Sequence, residues 1–154
     1  MNMAKFIIHT DGGARGNPGP AAIGVVIEAL RQAQGKQPIR EWKKGYGEYI
    51  GEATNNEAEY QAAIFALKKL KQLVGKKAAG EAEVEFHVDS ELLERQLNGH
   101  YKIMGRKLRE LFLELWNLKI DFGEVIFKHL LREKNKEADK LVNAALDKEL
   151  NKLL

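Results

Sequence analysis

Apolar positions along this chain follow two different periods. Residues 6–10 (F-I-I-H-T) and 21–27 (A-A-I-G-V-V-I) are short apolar runs bounded by turn residues, the pattern of buried strands. Between them, residues 12–20 hold four glycines and two prolines and read as a tight turn, so the two strands should pair antiparallel. Residues 28–38 form a polar loop, longer than a hairpin needs. Residues 39–50 set Trp42, Tyr46 and Tyr49 among polar positions and read as a third strand, completing a meander.

The period then changes. Residues 54–74 place Ala62, Ala63, Ala66, Leu67, Leu70 and Val74 at helical spacing. Thr54 and Glu57 fit a capping box in which each side chain accepts the other residue's backbone N–H. Residues 75–80 read as a loop. Val84, Phe86 and Val88 alternate through a strand at 82–88, and a short helix at 90–98 can be capped by Ser90 and ended by Gly99. Residues 107–118 are amphipathic through Leu108, Leu111, Phe112 and Leu115. Residues 125–131 form a fifth strand. The last helix, 136–150, turns Ala138, Leu141, Val142, Ala145 and Leu146 inward. Strands separated by helices require right-handed parallel crossovers. The expectation is an α/β chain with a mixed five-stranded sheet and helices on both faces, residues 1–154 forming one domain.

Composition changes this picture little. Apolar residues make up 44% and charged residues 31%, ordinary for a globular protein, and no run is long enough to span a bilayer as a helix. The N-terminus lacks signal-peptide architecture. The absence of cysteine removes disulfides and thiolate metal sites and fits a reducing compartment, so cytoplasmic residence is expected. A net charge of +3 is compatible with a nucleic-acid partner and equally with lysine-rich helices solvating a surface.

The candidate chemistry lies in four acids. Asp11 ends the first strand and Asp89 the fourth; if these strands are parallel neighbours, both carboxylates leave the sheet at its carboxyl edge, where open α/β sheets bind ligands. Glu59 falls on the stripe 59, 63, 66, 70 with Ala63, Ala66 and Leu70, and Asp139 on the stripe 139, 142, 146, 150 with Val142, Leu146 and Leu150. A carboxylate on a core-facing stripe is costly unless something compensates it. Any one such acid has a structural explanation, because helix starts favour acids. Four together suggest a site for hard divalent cations, Mg2+ or Mn2+ rather than zinc. Two ions about 4 Å apart suit in-line phosphodiester hydrolysis.

These residues resemble the ribonuclease H family, type 1. The resemblance runs through T-D-G-G-A-R-G-N-P-G (10–19), T-N-N-E-A-E-Y (54–60), V-D-S-E-L (88–92) and H-L-L-R-E-K-N-K-E-A-D (129–139), in family order over nearly the whole chain. It implies the ribonuclease H-like fold, with sheet order 3-2-1-4-5 and the first three strands antiparallel. It also implies metal-dependent cleavage of the RNA strand of RNA/DNA hybrids, leaving 3′-hydroxyl and 5′-phosphate ends. Asp11, Glu59, Asp89 and Asp139 match the family's catalytic, metal-binding acids for two Mg2+ ions, with Mn2+ an alternative, and the glutamate is also expected to contact a ribose 2′-hydroxyl. His129 matches a mobile histidine that helps product leave, or is a structural strand histidine. Arg132 either contacts the scissile phosphate or assists turnover, or is a solvated surface residue.

The same resemblance groups Gly12, Gly13, Asn17, Thr54, Asn55, Asn56 and Asn135 as hybrid-binding. Short polar amides suit a wide minor groove displaying 2′-hydroxyls, and Gly12 and Gly13 would let the backbone approach the RNA. Thr54 would hold a DNA phosphate, cap its helix, or do both. Asn135 matches a position near the metals and can also cap the last helix. His9 and His87, each two residues before an aspartate, read as packed histidines beneath the site, and His100 as a surface residue. The family's basic handle is missing: the region is only N-G-H-Y-K-I-M-G-R-K-L, where Lys102, Arg106, Lys107 and Arg109 offer a weaker basic patch. Glu52 and Glu57 lack the positive charge expected of them. No N-terminal hybrid-binding module, membrane or obligate protein partner is implied, and a monomer is expected. The alternative reading is a catalytically silent hybrid-binding protein of the same fold; a DNA nuclease on a related fold is disfavoured by the T-N-N and D-G-G-A-R-G-N runs. Double-stranded RNA remains open as a side substrate.

Overall fold

A central strand, β1 (Lys5–Ala14), organises a five-stranded sheet in the order β3-β2-β1-β4-β5. The computed structural model describes residues 4–152. β1 pairs antiparallel with β2 (Gly19–Arg31), which pairs antiparallel with β3 (Ile39–Ala53). On the other side, β4 (Glu83–Val88) is parallel to β1, and β5 (Glu124–His129) is parallel to β4. The expected order and orientations are those found.

The helices divide between the two faces. On one face α1 (Asn55–Val74) and α4 (Arg106–Lys119) cover Ile8, Ile23, Val25, Ile27, Val84 and Phe86. The α1 surface there is largely alanine (Ala62, Ala63 and Ala66 are fully buried), so helix and sheet approach closely. On the other face α5 (Lys136–Asn151) sets Val142 and Leu146 against Ala22. Its backbone rests on two glycines paired across β2 and β3. A Cβ on Gly24 would lie 2.1 Å from the Ala138 carbonyl oxygen, and one on Gly47 would lie 2.7 Å from that of Leu141. Gly24 is also the β2 partner of Asp11, so the first turn of α5, which carries Asp139, comes down near Asp11 on β1.

Several predicted boundaries need correction. The glycine-rich turn at 12–20 is shorter: β1 continues through Gly12, Gly13 and Ala14, paired with Ile23, Ala22 and Ala21, and the chain reverses within 15–18. β2 runs on to Arg31, with Ala29 buried between the more exposed Glu28 and Leu30, so the polar loop shrinks to 32–38. The loop at 75–80 contains a short helix, α2 (Lys76–Gly80), seated by the buried Ala79. β5 stops at His129, and a single 3-10 turn at Arg132–Lys134 leads into α5. The short helix after β4, α3 (Glu91–Leu97), is capped by Ser90, whose Oγ accepts the Leu93 N–H at 3.1 Å. Among the described residues, no helix is long and apolar enough to cross a membrane.

Candidate active site

The site begins where β4 ends beside β1, which itself runs on: Asp11, expected to end the first strand, is paired with Gly24 inside β1. Thr10 on β1 pairs with Val88, the last residue of β4, so Asp11 within β1 and Asp89 just beyond β4 lie side by side where the parallel pairing stops. Glu59 arrives from α1. The Gly12 N–H donates to Asp11 Oδ1 at 3.0 Å and to Glu59 Oε1 at 3.1 Å, tying the helix carboxylate to the strand that carries the aspartate. This arrangement needs glycine, because a Cβ at residue 12 would lie 2.4 Å from the Ala58 carbonyl oxygen. Ligand oxygens of Asp11, Glu59 and Asp89 fall within 4.8 Å of one another. Asp139 lies outside that trio but lines the same cleft, of about 460 Å³.

Crowding and burial oppose ionisation here. Asp11 is 4% exposed and Glu59 7%. Burial, then the charge of Asp89, pushes Asp11 up to about 7; a bond with Glu59 pulls the other way, and Asp139 adds to the rise. Glu59 is raised well above its usual range by burial first, then by the charges of Asp11 and Asp89. Its Oε2 is buried without a hydrogen-bond partner among the described residues. An all-oxygen donor set with an orphaned carboxylate oxygen fits a hard divalent cation, which would relieve both the repulsion and the missing partner.

The expected hybrid-binding residues fall into three groups. Asn55 and Asn56 line the cleft at the start of α1, and Gly13 lines it from β1. Asn55 Oδ1 accepts the Ala14 N–H at 2.9 Å, and the Asn55 N–H donates to Asn17 Oδ1 at 3.0 Å, so the exposed tip of the β1–β2 turn is fastened to the helix. Thr54 caps α1 in a complete capping box: its Oγ1 accepts the Glu57 N–H at 3.1 Å, and Glu57 Oε1 accepts the Thr54 N–H at 2.8 Å. Glu57 therefore has a structural task at a position where positive charge was expected. Gly12 and Asn135 are both buried, Gly12 lining the cleft and Asn135 lying beside Asp89. Gly12 is buried against α1, so its missing side chain admits helix backbone. Asn135 is 1% exposed, and its amide points inward to the Thr10 carbonyl and Asp89.

Arg132 is exposed on the wall of the acidic cleft, whereas His129 is exposed at the end of β5 and does not line it. His9 and His87 pair across β1 and β4 with ring centroids 4.8 Å apart, both half-buried, and His87 Nε2 lies 2.6 Å from Glu85 Oε2. His100 is exposed. Three further polar residues, Arg15, Ser90 and Asn143, line the cleft. Asn143 stands one turn beyond Asp139 and donates to its carbonyl at 3.1 Å, a spacing that could have marked it. A second cleft, of about 660 Å³, adjoins the first: both include Asn55 and Asn56, and the lining of the second also includes Asn17, Thr54, Glu57, Met104, Arg106 and Lys107.

Known proteins with this pattern are readily found. A family profile described as reverse transcriptase-like matches residues 9–145. A bifunctional protein of Mycobacterium tuberculosis is 34% identical over 143 residues, which is 93% of this chain and 36% of that protein. The chain thus spans little more than a third of the mycobacterial relatives' length. A ribonuclease H of Chromohalobacter salexigens is 34% identical over 161 residues, 95% of this chain and 87% of its own. The crystal structure of LC11-RNase H1 in complex with RNA/DNA hybrid matches with a TM-score of 0.79 at 46% identity, over 94% of this chain and 99% of that one.

Proposed function

The chain belongs to the reverse transcriptase-like family, and within it to the type 1 ribonucleases H; from that premise we propose that it is an endoribonuclease cutting the RNA strand of RNA/DNA hybrids. The observation carrying this reading is the convergence of Asp11, Glu59 and Asp89 within 4.8 Å at a cleft edged by Asn55 and Asn56. Acids suited to cations lie beside amides suited to the minor groove.

Asp11, Glu59, Asp89 and Asp139 would hold Mg2+ or Mn2+. When bound, two such ions supply the Lewis acidity for hydrolysis to 3′-hydroxyl and 5′-phosphate ends. The chain's own residues do the rest. Gly12 fixes one oxygen of Glu59, so the side chain reaches the cleft in a single orientation, poised for a ribose 2′-hydroxyl. Asn17, Asn55 and Asn56 meet the hybrid's minor groove, and Gly13 lets the backbone approach the RNA strand. Arg132 sits on the cleft wall to meet the scissile phosphate, and His129, further out, assists product departure. The second cleft takes the DNA strand: Thr54 accepts through Oγ1 within the capping box and keeps its hydroxyl hydrogen for a phosphate, while Arg106 and Lys107 supply the positive charge that a handle would otherwise bring.

We assign this activity to residues 1–154 as one catalytic domain, working as a monomer in the cytoplasm without an obligate protein partner. The test is to incubate the protein with labelled RNA/DNA hybrid, double-stranded RNA and double-stranded DNA, each with Mg2+, Mn2+ or chelator. Cutting of the hybrid's RNA strand, abolished by chelator and by Asp11→Asn, supports the reading. Binding without cutting identifies a silent hybrid-binding protein, and cutting of double-stranded RNA establishes the side activity.

A further inference from the structure

We propose that Asn135 is the positioning residue of the acidic site, orienting Asp89 and locking α5, with Asp139, to β1 and to the end of β4. The inference rests on the functional reading above and assigns Asn135 a task other than touching the hybrid.

Asn135 touches three of the four acid-bearing segments. Its Nδ2 donates to the Thr10 carbonyl at 2.9 Å, one residue before Asp11. The same nitrogen donates to Asp89 Oδ2 at 3.2 Å. Its own carbonyl accepts the Asp139 N–H at 3.2 Å, the bond that opens α5. The two acceptors around Nδ2 fix the orientation of the amide, since the reverse placement would set oxygen against a carbonyl and a carboxylate.

Two further observations separate this from a packing role. The residue is 1% exposed and its Oδ1 has no partner, so the amide costs stability that an apolar side chain would not. The side chain also makes no helix-capping bond to α5, although asparagine there could. What the amide does provide is donors. Asp89 stands within 4.8 Å of Asp11 and Glu59, whose charges repel it. Among the described residues, Asn135 makes the one side-chain hydrogen bond found to the Asp89 carboxylate. Without that bond, repulsion would turn Asp89 toward solvent and open the site. A hydrogen-bond partner behind a ligating carboxylate characteristically sets metal affinity.

The test uses Asn135→Ala and Asn135→Ser. Serine keeps a side chain able to cap α5 but is too short to span both acceptors, so it preserves the fold if alanine does not. Mn2+ binding to the hybrid-free protein, measured by calorimetry, should weaken by about tenfold or more in both, with the KM for hybrid unchanged within about twofold at saturating metal. In an Asp89→Asn background, Asn135→Ala should add little further loss, because the two act through one another. Unchanged Mn2+ affinity overturns the inference, as does full additivity with Asp89→Asn, and a raised KM with normal Mn2+ affinity would return Asn135 to the hybrid surface. If the wild type binds Mn2+ with this coupling but cuts no hybrid, the functional reading fails and the positioning role stands.

Discussion

The Gly12 backbone N–H is shared between Asp11 Oδ1 and Glu59 Oε1, at 3.0 and 3.1 Å, so one amide couples a strand carboxylate to a helix carboxylate. The position where a Cβ on Gly12 would sit is 2.4 Å from the Ala58 carbonyl oxygen. Strand and helix are therefore as close as backbone permits at the point where their acids meet.

Gly12→Ala should consequently separate α1 from β1. The obstruction is backbone, so no side chain can turn aside, and a loss of about 2–4 kcal/mol in urea unfolding is expected together with weakened divalent-cation binding. Gly13→Ala is the control. A Cβ there would meet only Val142 Cγ1 at 3.7 Å, an ordinary separation. That variant should keep its stability and metal affinity, and any loss of hybrid cleavage would mark Gly13 as the glycine that faces RNA. Equal stability of the two variants would contradict this account.

The acids make metal-free stability depend on pH in a definite direction. Burial and the charge of Asp89 push Asp11 from 3.8 up to about 7, and Glu59 moves the same way. In that interval the folded chain keeps protons that the unfolded chain has released. The stability linked to them is fully present below 3.8 and is lost as pH rises through 7. His9 opposes the trend: burial, then His87, lowers it from 6.5, so its contribution grows as pH rises toward 6.5. Two carboxyls against one imidazole leave a net fall. In chelator, stability should drop between pH 5 and pH 8 by on the order of a few kcal/mol. Saturating Mg2+ at pH 8 should restore it, and Asp11→Asn should flatten the profile while abolishing cleavage. A wild-type chain as stable at pH 8 as at pH 5 in chelator would refute the assignment.

These two predictions draw on different kinds of information. The four acids were legible in the sequence because Asp89 follows a strand, Glu59 and Asp139 fall on helical stripes and Asp11 closes an apolar run, although β1 continues past Asp11, and the sheet order turns those positions into neighbours. The real extent of the β1–β2 turn was not legible. Gly12 and Gly13 punctuate the sequence as turn residues do, yet they continue β1, and Gly12 is required by Ala58, far away in the chain. Asn135 has the same difficulty: an asparagine before a helix reads as a cap, and only the docking of α5 on Gly24 and Gly47 brings its amide to Thr10 and Asp89. The α2 helix escaped because five residues are too few to show a period.

The basic wall of the second cleft gives the last prediction. Arg106 is exposed, and the one ion pair it makes among the described residues, with Glu110 at 3.4 Å, is a surface pair that holds it weakly. The first turn of α4 contains no acid, and Gly105 supplies no side-chain cap, so Arg106 and Lys107 extend from a helix end that already favours anions. The cleft meets the acidic one at Asn55 and Asn56, which puts these cations to one side of the chemistry. Replacing both with alanine should raise the KM for hybrid about tenfold at moderate salt while leaving kcat within about twofold, the signature of weakened uniform binding. The slope of log affinity against log salt should shallow by roughly 0.7–0.9 for each phosphate that the variant no longer neutralises. Stability should change by no more than about 0.5 kcal/mol, because neither side chain is buried. A drop in kcat at unchanged KM and salt slope would place the two cations on the reacting strand and leave the DNA strand to be held elsewhere.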